Sequence, residues 1–325
     1  MNEPPISSVA DFKDRHGGLI GFGILVIIVG CICALFVPFM FFGLTMSSKA
    51  TGRAADFRTV MPVVVMYDAL AVMFIWLGIG SIMTRRWARA LLLILAWVWL
   101  LTGVIMIGVM AIVLPMAFAH SPPGGQSLPE GTRIVMVIFM LGFMSVAFLI
   151  LPGLLVLFYR SRHVKATCEA RDPVVRWTDA CPLPVLALSL MLGFGVLSML
   201  PIMLLYHGVI PFFGRFVSGV PGTTLLLVML TLWCYCAWAT YKLKLAGWWI
   251  TFIGFGVLMV SVLITFARAD LMDMYRLMGY PQQQIELMQQ YNFLTGRNMV
   301  WMMLICMAPY LGLLLWVKRY FRRPA

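Results

Sequence analysis

The chain has 325 residues, of which 62% are hydrophobic and 11% charged, and its formal net charge is +12. Soluble domains carry about 25% charged residues and about 45–50% apolar ones, so composition excludes a water-soluble globular chain. The basic excess does not point to nucleic acid either, because in a membrane chain Lys and Arg mark the cytoplasmic loops.

In chain order, a polar lead-in over residues 1–18 carries Lys13 and Arg15, and the first apolar run follows from Leu19 to Leu44. That run exceeds the ~7–15 residues of a signal-peptide core. Further apolar runs are Val60–Met83, Ala90–Ala119, Ile134–Tyr159, Val185–Tyr206, Thr223–Tyr241, Trp248–Ala267 and Met299–Val317. Each approaches or exceeds the ~20 residues with which a helix crosses ~30 Å of hydrocarbon. Nothing alternates as barrel strands do, and backbone polar groups in lipid must be satisfied within the segment. The expected fold is all-α, a polytopic integral membrane protein of eight transmembrane helices.

Orientation follows from the basic residues of the loops. On the side of the N-terminus lie Lys13, Arg15, Arg85, Arg86, Arg89, Arg160, Arg162, Lys165, Arg171, Arg176, Lys242, Lys244, Lys318, Arg319, Arg322 and Arg323, sixteen of the 24 Lys and Arg. The positive-inside rule then puts both termini in the cytoplasm. Compact loops, and the absence of any Asn-X-Ser/Thr acceptor, fit a bacterial inner membrane.

The two halves resemble copies of one four-helix unit. Gly21-Phe22-Gly23-Ile24-Leu25 matches Gly193-Phe194-Gly195-Val196-Leu197, and Phe41-Phe42-Gly43 matches Phe212-Phe213-Gly214. Gly153-Leu154-Leu155, leading to Arg160, matches Gly312-Leu313-Leu314, leading to Arg319. A four-span unit re-enters on the side it left, so the copies are expected to be tandem and parallel. The expected organisation is a first transmembrane unit over 1–159, a cytoplasmic linker over 160–184, and a second unit over 185–325. The outer loop at 268–296 has Leu271, Met274, Tyr275 and Met278 at helical spacing, then Ile285, Met288 and Tyr291, which reads as two short amphipathic helices.

Few residues could carry chemistry. Asp68 is the single acid well inside a span, ~12 Å from the outer end at ~1.5 Å per residue. An intramembrane carboxyl is a candidate proton- or cation-binding site, or else one bonded between helices toward Tyr206 or His207. His163, Cys168, Asp172, Asp179 and Cys181 could in principle hold zinc. Their spacing lacks a paired Cys-x2-4-Cys knuckle, so no metal is expected and the cysteines read as reduced and structural. No phosphate loop, metalloprotease His pair or nucleophile elbow occurs, so no catalytic residue, cofactor or enzymatic activity is expected.

The basic turns supply the remaining candidates, as contacts for anionic lipid headgroups: Arg85, Arg86, Arg89, Arg160, Arg162, Lys242, Lys244, Lys318, Arg319, Arg322 and Arg323. The functional expectation is a non-enzymatic interaction or assembly module, with anionic lipid and other membrane proteins as partners. The alternative is a secondary transporter with a path between the repeats and Asp68 as its coupling group.

Overall fold

The computed structural model describes residues 13–51, 57–119, 129–280, 282, 285–286 and 296–321. Eight helices among them are long and apolar enough to cross a membrane. They are α1 (His16–Thr51), α2 (Phe57–Ile82), α3 (Arg86–Ala119), α4 (Glu130–Ser145) continuing through a π turn into α5 (Leu151–Arg160), α7 (Leu183–Leu205), α8 (Gly219–Tyr241), α9 (Leu245–Arg268) and α11 (Gly296–Val317). Two short helices, α6 (Arg162–Arg171) and α10 (Leu271–Leu277), lie between spans. The chain is therefore a multi-pass membrane protein by length and composition of its helices.

Two compact units form, one from Met1–Val98 with Leu151–Ala180 and the other from Trp99–Ile150 with Cys181–Ala325. Their division falls inside α3 and at the π turn, Val146–Ile150, that joins α4 to α5. Pro152 explains that turn, since it offers no N–H to the Phe148 carbonyl four residues back. Gly103 of α3 sits against the same carbonyl, and a Cβ there would run into it.

In the first unit, α1 and α2 pair along a seam of small residues. A Cβ on Gly23 would lie 2.9 Å from the Gly78 carbonyl, one on Gly78 would lie 2.8 Å from the Gly23 carbonyl, and Gly30 meets the Ala71 carbonyl. Small residues let membrane helices approach backbone to backbone, where dispersion rather than hydrophobic burial drives association. Gly23 and Gly78 thus pack helices together, whereas a Cβ on Gly21 would meet nothing. At the end of this seam, the buried Ser81 hydroxyl donates to the Leu19 carbonyl and bonds the Tyr159 hydroxyl at 2.7 Å, tying α1, α2 and α5 together.

The second unit is built on α7, α8, α9 and α11. A β-hairpin joins α7 to α8, with β1 (Ile210–Phe212) antiparallel to β2 (Arg215–Val217). Its two-residue loop, Phe213 at φ 40° and Gly214 at φ 102°, has the positive angles that suit a hairpin's twist. Two α9 hydroxyls fix it in place: Phe213 N–H donates to Ser261 Oγ and Gly214 N–H to Thr265 Oγ1, both at 3.0 Å. Beside it, α10 begins at Asp270, whose carboxylate accepts the Met272 N–H, and packs Leu271 with Val262 and Phe266. The first expected amphipathic helix therefore lies against the bundle. Of the second, only Ile285 of the expected apolar face falls among the described residues, and it is buried.

Both units make the same turn at one end. In the first, Thr84 N–H donates to the Ser81 carbonyl and Arg85 N–H to Gly80; in the second, Leu243 N–H donates to Thr240 and Lys244 N–H to Ala239. Thr84 and Leu243 each take φ near 55°, completing a Schellman motif. The close contact behind the turn is also shared, with Gly80 against Ala88 in one and Gly247 against Ala239 in the other. The small partner has merely changed sides. By contrast, Phe41-Phe42-Gly43 is helical within α1, while Phe213-Gly214 forms the hairpin loop.

Candidate functional site

The basic turn of the first unit is roofed by the segment that follows α5. Arg162–Arg171 is helical and ends where Asp172 precedes Pro173, a junction that disfavours helix. Residues 13–15 lie along this helix: Lys13 N–H donates to His163 Nδ1, Arg15 N–H to Thr167 Oγ1, and Arg171 donates to Asp14 at 2.8 Å. That guanidinium holds the Asp14 carboxyl below the usual carboxylate range.

Asp172 is the centre of the arrangement. Its side chain is 3% exposed, faces Arg85 at 3.7 Å and Arg176 at 3.6 Å, and accepts the Arg86 N–H at 3.3 Å. Arg86 in turn lies 3.5 Å from Glu169 and 3.6 Å from Asp179. Asp179 also accepts the Arg176 N–H, capping a 3-10 turn over Trp177–Asp179. Arg89, one turn further along α3, lies in the field of Glu169 and Asp179, and its Nε is buried with no hydrogen-bond partner among the described residues. A buried carboxylate needs such neighbours, because an ion out of water costs several kcal/mol unless it is paired and hydrogen-bonded.

Cys168 and Cys181 are both buried, free thiols. Burial pushes Cys168 up to about 11, with Arg89 pulling the other way, and burial pushes Cys181 up to about 11 as well. Among the described residues, no three His, Cys, Asp or Glu side chains gather as a metal site.

The basic turn of the second unit is furnished differently. Lys318 Nζ stands 4.6 Å above the rings of both Trp248 and Trp249, and Lys244 Nζ 4.1 Å above Trp238. Arg319 lies over Trp316 and Tyr320, and Lys242 over Tyr241. Trp248 is buried and fixed, its Nε1–H donating to the Leu314 carbonyl at 2.9 Å and its ring stacked on Phe252. Among the described residues none of these four cations has a carboxylate within ion-pair distance. An aromatic face attracts a cation without cancelling its charge.

The other candidates divide as follows. Arg160 and Arg162 are exposed. Arg322 and Arg323 lie outside the described residues. Asp68 is exposed on α2 and has no hydrogen bond or ion pair among the described residues. Sequence reasoning missed the counter-charges of Arg85 and Arg86, which lie more than eighty positions away. The available signal was that Glu169, Asp172 and Asp179, three of the chain's twelve acids, fall in one short segment. No family model, curated protein or solved structure matches the chain.

Proposed function

We propose that the protein is a non-enzymatic interaction or assembly module of the membrane whose second unit holds anionic lipid headgroups at its basic turn. The observation that carries this reading is the set Lys242, Lys244, Lys318 and Arg319, seated on aromatic rings with no carboxylate partner among the described residues. Amphipathic indole rings favour the headgroup level of a bilayer. Each cation near an anionic surface contributes about 1 kcal/mol. Arg160 and Arg162, exposed beside the first unit's cap, extend the headgroup contacts. Arg85 and Arg86 have less to offer, because carboxylates of their own unit already face them. Lipid retained by the purified protein tests this: phosphatidylglycerol or cardiolipin should be held in preference to phosphatidylethanolamine, and indifference to headgroup charge would end the reading.

The orientation follows the basic side, with both termini cytoplasmic, as in a bacterial inner membrane. Labelling of the natural cysteines cannot report it, because Cys168 and Cys181 are buried whichever side they face. An exposed substitute such as Lys165→Cys should resist a membrane-impermeant maleimide in intact cells and react after permeabilisation.

The two halves are read as parallel copies of a four-span unit. Supporting this, Thr84 and Leu243, which close the two Schellman turns, stand 159 positions apart, as do Gly153 and Gly312 before the ends of α5 and α11. A transporter with Asp68 as coupling group is the second reading, and it draws on the exposed, unpartnered carboxyl. Unchanged uptake and growth in Asp68→Asn under every condition tried would remove it.

A further inference from the structure

Asp68 sits on a face of α2 that α1 does not cover. The covered face of α2 carries Val64, Ala71, Phe74 and Leu77, all buried, and Gly78 of the seam. The exposed stripe reads Met61, Val65, Asp68 and Val72, with Val65 at 58% and Val72 at 69%, and runs on to Trp76, whose ring stacks on Trp87 of α3. Steps of three and four residues place these side chains in one stripe along the helix. Lipid would cover such a stripe without a partner if all its members were apolar. Asp68 makes the difference, because ionisable groups at membrane depth face a bundle interior or a counter-charge rather than hydrocarbon.

Among the described residues, no Lys or Arg of this chain supplies a counter-charge at that depth. Every Lys and Arg of the eight spans lies within four residues of a span end, at Arg86, Arg89, Arg133, Arg160, Arg268, Lys318 and Arg319, whereas Asp68 is eight residues inside the span Val60–Ile82. A second copy presenting the same stripe would set carboxyl against carboxyl. Charge complementarity therefore selects a different membrane protein.

We infer that the stripe Met61–Val65–Asp68–Val72 is a docking seam for a transmembrane helix of another protein that carries a Lys or Arg at the depth of Asp68. This rests on the assembly-module reading and names the chemistry of its partner. The apolar members set the register by packing. The carboxylate–cation pair supplies selectivity, since a helix without the cation leaves Asp68 uncompensated in a medium of low dielectric.

The test uses the full chain in its native membrane, with a photo-crosslinking residue at Val65 or Val72 and, as controls, at the exposed Leu227 of α8 and Val257 of α9. The expected adduct from Val65 and Val72 maps to a transmembrane segment of another protein containing Lys or Arg. Its yield falls at least fivefold in Asp68→Asn, which keeps the side chain's shape. Asp68→Lys paired with the partner's basic residue changed to Asp restores it. Four results would overturn the seam: adducts to a second copy, adducts within the chain, lipid adducts alone, or a yield indifferent to Asp68→Asn. Protein adducts from the control positions alone would leave the assembly reading standing without this seam. No protein adduct from any position would end both.

Discussion

The two units close their basic ends with the same Schellman turn and the same Gly–Ala contact, yet they treat the cations around it in different ways. In the first unit Arg85 and Arg86 look inward, to Asp172, Glu169 and Asp179 of the segment that roofs the turn. In the second unit Lys242, Lys244, Lys318 and Arg319 lie on aromatic rings and, among the described residues, face no carboxylate within ion-pair distance. One backbone solution thus serves two electrostatic purposes. In the first unit the difference comes from the segment after α5, which brings Glu169, Asp172 and Asp179 back over the turn.

The largest separation between the two ends should come from Asp172→Ala. Removing the buried carboxylate strands Arg85 and Arg176 and leaves the Arg86 N–H without its acceptor, so thermal unfolding in detergent should report a loss of about 3 kcal/mol. A loss below about 1 kcal/mol would mean that the cap is only a surface network.

Next in size is the reactivity of the cap's thiols. Cys168 and Cys181 are held up to about 11 against an ordinary value of 9.0. At pH 8 an alkylating reagent should therefore modify them about a hundredfold more slowly than an exposed thiol, and quickly once the unit is unfolded. The linked stability has a definite sign. A raised folded-state value means that the contribution is complete below pH 9 and is lost as pH rises toward 11.

At the second unit's end the effects are smaller. Trp248→Phe removes the Nε1–H bond to Leu314 while keeping an aromatic ring under Lys318, and should cost about 1 kcal/mol. Lys244→Gln should cost about 0.5 kcal/mol, the value of an exposed cation over Trp238. If either cost as much as Asp172→Ala, the contrast between a self-neutralised end and an open one would fail.

The eight spans were legible in the sequence because ~20 consecutive apolar residues have one stable solution in lipid. The hairpin over Ile210–Val217 was not anticipated. Its Phe213-Gly214 loop is a recognisable two-residue turn, but the fixing hydroxyls, Ser261 and Thr265, lie 48 and 51 positions on. The helix over Arg162–Arg171 was likewise hidden. Its polar sequence reads as a linker, and what holds it is contact with residues 13–15, more than 140 positions away. Asp68 was singled out from sequence as a lone intramembrane acid. That its side chain is exposed rather than packed between α1 and α2 depended on the Gly23–Gly78 register, which only the packed pair of helices defines.

The contrast between the two ends is tested most directly by native mass spectrometry of lipid retained by the full chain. Replacing Lys242, Lys244, Lys318 and Arg319 with Gln should abolish most retained phosphatidylglycerol or cardiolipin, whereas Arg85→Gln and Arg86→Gln should retain it while lowering the unfolding temperature. Anionic lipid kept by the fourfold variant and lost from the Arg85 and Arg86 variants would contradict the account.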